Sequence, residues 1–320
     1  MPEECGKGMV SIVIVTWNTR DLVLDCIRSI RENTSDIPYE VIVVDNSSAD
    51  GTSDAVRQRF PEVNTIDSGA NLGFAGGNNL GARHAKGEYL LLLNPDTVVP
   101  RGAIRGMVDF LASHPEVSIV GPFLQGADGE RQISSFGLFP GVAEAFVHAV
   151  HLWAILPKSK LAASFHQIPA EGQDWCFSAH LLGACMLMRT ETWLELDGMD
   201  DGYFLFSEET DLCYRAALMG RRCAYTNDVR IIHYGEQSVQ SILNHSGGLY
   251  IRSYNRFCRK FGMGPLKLAL INIILTGGVI LGCVANLVRR RGVRKSLHGL
   301  GALWYGYFRK PGVQERGNAA

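Results

Sequence analysis

The first part of the chain alternates between short apolar runs and segments with helical periodicity. Runs at Val10–Thr16, Tyr39–Val44 and Tyr89–Leu93 are rich in β-branched residues and leucine, as in strands buried on both faces of a sheet. A regular alternation of strands and helices predicts a parallel sheet with right-handed crossovers, and therefore an α/β fold. The predicted strands cover residues 10–16, 39–44, 63–66, 89–93, 117–120, 179–188, 223–226 and 230–233. A first helix is predicted to begin at Asp21, and the other predicted helices cover 53–60, 71–86, 103–113, 191–196, 207–220, 246–261 and 268–288.

The pattern weakens between Gly121 and Gln173. Gly126–Glu130 predicts a turn between two strands of a hairpin, and Val142–Leu156 is apolar with interspersed His and Trp. We interpret this region as a flexible insertion.

The end of the chain has a different composition. Ser246–Phe261 predicts a basic helix, whereas Leu268–Val288 contains no charged residue and is long enough to cross a bilayer. Lys267 precedes this apolar segment and Arg289-Arg290-Arg291 follows it, and such basic flanks stay on the cytoplasmic side. The Gly277-Gly278 pair weakens the hydropathy signal. The pattern is therefore compatible with a spanning segment, a helical hairpin or an interfacial helix. It favours membrane contact over a helix packed on the domain or in a dimer.

Length, charge and cysteine content narrow the function classes. A chain of 320 residues can form one large α/β domain with an appendage. The formal net charge of −1 gives no indication of a nucleic-acid partner. The eight cysteines include no CxxC pair, so neither a zinc site nor a disulfide framework is indicated. Met1–Gly8 is polar and is not a signal peptide, and we expect the cytosolic side.

One carboxylate is predicted at the end of a central strand. The apolar run Leu90–Leu93 stops at Asn94-Pro95-Asp96, because Pro95 has no N–H and cannot continue a ladder. Open α/β sheets bind ligands at the carboxyl ends of their strands. Asp96 there suits Mg²⁺ or Mn²⁺ bound with a substrate diphosphate, although it can equally cap the next helix.

Further polar residues follow the other strands. Asp45 can accept a hydrogen bond from a base N–H, whereas Asp50-Gly51-Thr52 also fits a turn and helix cap. Glycines between Gly73 and Gly77 permit close backbone approach to a ligand. Neither a G-x-G-x-x-G motif nor a Walker-type Lys-Ser/Thr is present there, which disfavours dinucleotide and P-loop binding.

A second acidic group lies further along the chain. Glu208, Glu209 and Asp211 are close in sequence, and neighbouring like charges raise a carboxyl pKa in the way a general base requires. The alternative is an acidic first turn that complements a helix dipole. His233 follows a strand and is either structural or a metal ligand.

Several of these segments, in this order, resemble family 2 inverting glycosyltransferases of the GT-A fold, closest to the rhamnosyltransferase-like branch. The resemblance covers about residues 9–240 and includes Val-Ile-Val-Thr-Trp-Asn (13–18), Val-Val-Asp-Asn-Ser-Ser-Ala-Asp-Gly-Thr (43–52), Asn-Leu-Gly-Phe-Ala-Gly-Gly-Asn-Asn (71–79), Leu-Leu-Asn-Pro-Asp-Thr (92–97) and Ser-Glu-Glu-Thr-Asp-Leu-Cys-Tyr-Arg (207–215).

The resemblance assigns roles to individual residues. It implies that Asp96 takes the place of the last aspartate of a D-x-D metal motif, that His233 completes the metal site, and that Glu209 is the base with Glu208 beside it. The implied donor-nucleotide residues are Thr16, Asn18, Asp45, Asn71, Gly73, Asn78 and Asn94, with Asp45 contacting the base. Two departures matter: Asn94 replaces the first aspartate of D-x-D, and Glu209 stands where Asp is common.

The resemblance implies a GT-A Rossmann-like, mostly parallel sheet flanked by helices, and the apolar pattern of the tail adds a C-terminal helical, membrane-associated region. Residues 1–240 would form the catalytic domain, with a nucleotide-binding half at about 9–120 and an acceptor half at about 121–240 that includes the insertion. Residues 241–320 would form the C-terminal region with its apolar segment at 268–288.

The implied reaction moves a sugar, with rhamnose as a candidate, from a UDP- or dTDP-sugar to a glycan or polyprenyl-linked acceptor in cell-surface polysaccharide synthesis. A divalent metal, Mg²⁺ or Mn²⁺, is the implied cofactor. We expect the protein at the cytoplasmic face of the membrane, either bound peripherally or held by a single C-terminal membrane segment. The sequence is also compatible with a homo-oligomer.

Two alternative functions stay open. A sugar-nucleotide pyrophosphorylase shares such a sheet but needs a basic glycine-rich loop, which Trp17-Asn18-Thr19-Arg20 matches poorly. A catalytically degenerate nucleotide-sugar-binding module at the membrane is suggested by Asn94 and the Glu208-Glu209 pair.

Overall fold

The computed structural model describes residues 6–150, 167–235 and 246–288. In chain order the strands are β1 (Gly6–Thr16), β2 (Tyr39–Asp45), β3 (Asn64–Asp67), β4 (Gly87–Leu93), β5 (Thr97–Val98), β6 (Val117–Gln125), β7 (Ser135–Phe136), β8 (Trp175–Ser178), β9 (His180–Leu181), β10 (Cys185–Arg189) and β11 (Arg222–His233). The helices are α1 (Arg20–Asn33), α2 (Thr52–Arg59), α3 (Gly73–Ala82), α4 (Ala103–Ser113), α5 (Val142–Val150), α6 (Thr190–Glu195), α7 (Glu208–Leu218), α8 (Ser246–Lys260) and α9 (Pro265–Val288).

Nine strands form one mixed sheet in the order β3-β2-β1-β4-β10-β6-β11-β5, with β8 also paired to β11. β1, β2, β3 and β4 are mutually parallel, and β6 and β11 are parallel to each other. β10 lies antiparallel between β4 and β6, and β5 and β8 are antiparallel to β11. The predicted α/β class with a mostly parallel sheet is therefore confirmed.

Helices cover both faces of this sheet because successive residues of a strand point to opposite sides. Leu91 and Leu93 of β4 pack with α1, α2 and α4, whereas Leu90 and Leu92 pack with α3, α6 and α7. The continuous leucine run of β4 is thus explained by burial on both faces.

Three sequence predictions need correction. The strand predicted at 179–188 is two strands, because Leu182 N–H donates to Ser134 O and β9 pairs with β7 in a separate two-stranded sheet. The strands predicted at 223–226 and 230–233 are one strand, β11, with a register irregularity between Thr226 and Arg230. The insertion expected to be flexible contains α5, whose Ala145 is fully buried; residues 151–166 lie outside the described residues.

The C-terminal helices pack on the rest of the protein through α5. Ala145, Tyr254, Cys258, Ile271 and Leu275 form a buried apolar cluster among α5, α8 and α9. In the part of α9 next to Ala149, the approach is so close that a Cβ at Gly278 would lie 2.7 Å from the Ala149 Cα. None of the helices in the described residues is long and apolar enough to cross a membrane. The predicted boundary at residue 240 falls outside the described residues.

Charged side chains attach α8 to the start of α7. Lys260 Nζ lies 2.7 Å from Asp200 Oδ2 and 2.6 Å from Asp211 Oδ1, and Arg256 also pairs with Asp200 at 2.8 Å. Asp211 is fully buried and also pairs with Arg215, so its charge is balanced from two sides.

Candidate functional site

The carboxyl ends of the parallel strands bring the predicted donor residues to one edge of the sheet. Thr16 of β1 is in register with Asp45 of β2, and Asp45 is in register with Asp67 of β3. On the other side of β1, Ile14 is paired with Leu93, the last residue of β4.

A cleft opens at this edge. It is lined by residues from the β1, β2 and β4 ends, the segment around α3 and the loop before α7: Val15, Thr16, Trp17, Asn46, Asn71, Gly73, Phe74, Asn94, Pro95, Phe204 and Leu205. Thr16, Asn71, Gly73 and Asn94 are predicted donor residues, and the structure brings them together.

Asn18 and Asp45 hold the loops beside the cleft. The Asn18 side chain accepts a hydrogen bond from Ala49 N–H at 2.7 Å, and its own N–H donates to Ser48 Oγ at 2.8 Å. Asp45 is buried, and its two carboxylate oxygens accept from Ser48 N–H and from the Ser53 hydroxyl, each at 2.9 Å. These bonds fix the β1–α1 and β2–α2 loops relative to each other.

Glycine is required where α3 meets the loop before α7. Gly73 has φ +72°, and a Cβ there would lie 2.2 Å from the carbonyl oxygen of Phe204. The same oxygen accepts a hydrogen bond from Phe74 N–H at 3.1 Å. Asn71 Oδ1 accepts from Gly73 N–H at 3.0 Å, whereas Asn78 Nδ2 donates to Phe74 O within α3. Asn78 is therefore a helix-internal side chain outside the set that lines the cleft.

Asn46 was not singled out from the sequence. Its side chain is buried, and Nδ2 donates to Gly73 O at 2.9 Å, while Oδ1 has no hydrogen-bond partner. An unpartnered buried carbonyl on the cleft wall is an acceptor available to a ligand N–H or O–H.

Asp96 and His233 are brought together by β5 and β11. Asp96 immediately precedes β5, His233 ends β11, and Tyr234 N–H donates to Asp96 O at 2.9 Å. His233 Nε2 lies 3.4 Å from Asp96 Oδ1 and 3.5 Å from Asn94 Nδ2. Asp96 Oδ1 is buried without a hydrogen-bond partner.

The residues at this point fit a divalent cation. A buried carboxylate oxygen without a partner, facing an imidazole nitrogen, is a donor set of the kind that Mg²⁺ or Mn²⁺ binds. Within residues 6–150, 167–235 and 246–288, no three His, Cys, Asp or Glu side chains converge to hold a metal. Two protein ligands suit an ion whose remaining positions are filled by water and substrate phosphate oxygens.

Glu208 and Glu209 begin α7 after a strained turn. Phe206 and Ser207 have φ of 70° and 66°, a conformation that non-glycine residues rarely adopt. A Cβ placed on Gly183 would lie 3.2 Å from the ring of cleft-lining Phe74 and 3.6 Å from the Glu209 Cβ, so Glu209 starts beside the cleft.

The two glutamates have different environments. Burial and the charge of Glu209 raise the pKa of Glu208 well above its usual range. Burial raises the pKa of Glu209 to about 7, against the opposing effect of the Glu209 and Thr210 N–H groups at the helix start. The Oε2 atom of each glutamate is buried without a hydrogen-bond partner. Glu208 is therefore suited to stay protonated while Glu209 titrates near neutrality, as a general base requires.

Sequence comparisons place the chain among known proteins. The pattern of Glycosyl transferase family 2 matches residues 11–163. The N-acetylglucosaminyl-diphospho-decaprenol L-rhamnosyltransferase of Mycobacterium tuberculosis is 26% identical over 234 residues, which is 67% of this chain and 74% of that protein. Rhamnosyltransferase WbbL of Escherichia coli K12 is 24% identical over 262 residues, 78% of this chain and 92% of that protein.

Structural comparison confirms the predicted GT-A-like fold. The mannosyltransferase PcManGT of Pyrobaculum calidifontis, solved with GDP-Man and Mn²⁺, superposes with a TM-score of 0.58 and covers 93% of this chain and 87% of that one. At 17% sequence identity this likeness shows a shared fold.

The contact between Gly73 and Phe204 leads to a testable prediction. We expect Gly73→Ala to lower the free energy of unfolding by about 2–3 kcal/mol, because the added Cβ meets a backbone carbonyl and a positive φ is strained for alanine. Native-state hydrogen exchange should also show faster exchange of the Phe74 amide.

The matched control is Gly220→Ala. Gly220 has φ +75° with no atom within 4 Å of an added Cβ, so it carries the backbone strain without the collision. Equal destabilisation by both substitutions, with unchanged Phe74 exchange, would show that the carbonyl contact is unimportant.

Proposed function

We propose that this chain, whose residues 11–163 match Glycosyl transferase family 2, transfers a sugar, with rhamnose as first candidate, from a UDP- or dTDP-sugar to a hydroxyl of a glycan or polyprenyl-linked acceptor in cell-surface polysaccharide synthesis. The observation that carries this proposal is a cleft at the carboxyl edge of the sheet with the Asp96–His233 pair and Glu209 beside it. The decaprenol named for the mycobacterial relative supports a lipid-linked acceptor.

The roles of the chain's own residues follow from their environments. Asp96 and His233 would hold a divalent ion, which would supply a Lewis acid to neutralise the leaving diphosphate. Thr16, Asn18 and Asp45 surround the nucleotide. Glu209 accepts the proton of the acceptor hydroxyl, whose oxygen displaces the diphosphate from the opposite face of the sugar and inverts the anomeric centre.

Donor and metal binding can be separated by calorimetry. We titrate UDP and dTDP into the full chain, each with Mn²⁺ and with EDTA. One nucleotide should bind more tightly with Mn²⁺ than with EDTA. Because Asp96→Ala removes a cation ligand, its affinity for this nucleotide in the presence of Mn²⁺ should be lower by about tenfold or more.

Asp54→Ala is the control, since the Asp54 side chain is 94% exposed on α2. Absence of binding by either nucleotide to well-folded protein would contradict the glycosyltransferase proposal. Donor binding without donor consumption, across all acceptors tried, would favour the degenerate binding module.

The two glutamates should respond differently to amide substitution. Glu209→Gln removes the group that takes the proton and should lower kcat by about 10²–10⁴-fold. Glu208→Gln replaces a protonated carboxyl by a neutral amide of the same shape and should lower kcat less than about tenfold.

The pH profile provides a second check on the same assignment. Because only ionised Glu209 can accept a proton, kcat should rise as the pH passes upward through about 7. Glu208→Gln should keep this inflection. Normal turnover of Glu209→Gln together with lost turnover of Glu208→Gln would reverse the assignment of the base.

Membrane contact at the cytoplasmic face is part of the proposal, and α9 supplies the surface. Its exposed apolar residues repeat at helical spacing on one face, opposite the buried Ile271 and Leu275: Leu266, Leu270, Ile273, Ile280, Leu281 and Val284. We call this set the α9 stripe. In the sequence, Arg289-Arg290-Arg291 follows α9 directly, and such positive charge complements anionic lipid headgroups.

Vesicle flotation tests the α9 stripe. The triple variant Leu266→Gln/Ile273→Gln/Leu281→Gln should partition at least about tenfold more weakly onto vesicles of phosphatidylcholine with phosphatidylglycerol. The control places Gln at Leu194, Leu218 and Met219, which are exposed apolar residues outside α9. Unchanged partitioning, or a change in oligomeric state by sedimentation instead, would assign the stripe to another role or to a second copy of the chain.

A further inference from the structure

Gln132 makes a two-point contact with His233 across 101 positions of sequence. Gln132 Nε2 lies 2.7 Å from the backbone oxygen of His233, and Gln132 Oε1 lies 2.7 Å from His233 Nδ1. Neither the motifs nor the spacing of the sequence pointed to Gln132.

The first of these bonds determines the sense of the second. A backbone carbonyl only accepts hydrogen bonds, so the NH₂ group of Gln132 must face it, and Oε1 must face the imidazole. An amide oxygen only accepts as well, and His233 Nδ1 must therefore carry the hydrogen. In the neutral ring the lone pair is then on Nε2.

The Nε2 atom with its lone pair lies at the proposed metal position, where Asn94 Nδ2, 3.5 Å away, also faces it. Nε2 lies 3.4 Å from Asp96 Oδ1, which is buried without a hydrogen-bond partner. Two electron-pair donors at this separation repel each other unless a cation or a proton lies between them. The Gln132 amide thus fixes the tautomer that presents both donors to one cation.

The surroundings hold the Gln132 side chain in place. Its backbone N–H donates to Leu124 O at 2.9 Å, which ties it to the end of β6. A Cβ added at Gly126 or at Gly235 would lie 3.4 Å from Gln132 Nε2, so two glycines flank the amide closely. Little freedom remains for the amide to rotate away from His233.

We propose that Gln132 is a positioning residue of the metal site: it selects the Nδ1–H tautomer of His233 and thereby raises the affinity for a divalent cation shared with Asp96. This inference rests on the metal site of the proposed function. The chain after β6 turns back through an isolated antiparallel bridge between Gln125 and Arg131, and we call this segment the hairpin after β6. A purely structural role, in which Gln132 only fastens this hairpin to β11, is the competing explanation.

The test uses the full chain with Mn²⁺ and the nucleotide diphosphate that binds. Free Mn²⁺ is measured by electron paramagnetic resonance, and the His233 tautomer is read without metal from imidazole ¹⁵N chemical shifts. Gln132→Met has a similar length but no polar group, and it should mix the tautomers and weaken Mn²⁺ binding by about 10–100-fold. Gln132→Glu keeps an acceptor opposite Nδ1 and should retain the Nδ1–H tautomer.

Gln125→Met is the matched control. Gln125 Nε2 donates to Gly129 O, and Gln125 Oε1 accepts from Arg230 Nη1 of β11 at 3.4 Å, so Gln125→Met loosens this segment and its attachment to β11 without removing a hydrogen bond to His233. We expect Mn²⁺ affinity within about threefold of the unmodified chain.

The outcomes separate this inference from the proposed function. Equal Mn²⁺ affinity of Gln132→Met and the unmodified chain, or an equal loss in Gln125→Met, would overturn the role of Gln132 alone. Failure of the unmodified chain to bind Mn²⁺ in the presence of nucleotide would overturn the metal site of the proposed function, and with it this inference.

Discussion

The structure depends on the close approach of Gly73 to the carbonyl group of Phe204. Gly73 begins α3 and lines the cleft, and Phe204 belongs to the loop that leads to Glu208 and Glu209. Because a side chain at position 73 would occupy the place of the Phe204 oxygen, only glycine lets the two segments meet and lets Phe74 N–H bond to that oxygen. The proposed donor-binding segment and the segment that carries the proposed base are thereby held in one arrangement.

Several acceptor oxygens around this cleft are buried without partners in the described part of the chain. They are Asn46 Oδ1, Asp96 Oδ1, Glu208 Oε2 and Glu209 Oε2. An unpartnered buried polar group costs about 1–3 kcal/mol, and such groups are uncommon in folded proteins. Four of the seven such atoms in the described residues thus belong to residues around the cleft, where a ligand N–H, a cation or a proton can pair with them.

The sequence was most informative where one local signal determines the outcome. The apolar run of β4 and its stop at Pro95 correctly predicted a buried central strand with Asp96 at its end. The continuous strand expected at 179–188 failed because a tertiary hydrogen bond, from Leu182 to Ser134, diverts the chain to a second sheet. Local propensity does not contain that competition.

The candidate site shows the same difference between what local sequence signals predict and what tertiary contacts decide. The positions of Asp45 and Asp96 at the edge of the sheet were predictable because Asp45 ends β2 and Asp96 comes shortly after β4, whereas Asn78 shares a motif with cleft residues yet turns its side chain into its own helix. Gln132 was not predictable, since its significance arises only when β11 brings His233 beside the hairpin after β6. A residue that acts by positioning another residue is not identified by any local pattern in a single sequence.

The position of α8 shows how the C-terminal region contacts the loop that lines the cleft. Ser253 Oγ of α8 donates to Leu205 O at 2.8 Å, and Lys260 pairs with Asp211 in the first turn of α7. The loop between them includes Phe206 and Ser207, whose backbones are strained and stay so only when neighbouring contacts hold them. Gly73 constrains this loop from the donor side and α8 constrains it from the opposite side. The hydrogen bond from Ser253 thus holds the backbone of the cleft-lining residue Leu205, and α8 contributes in this way to the shape of the cleft.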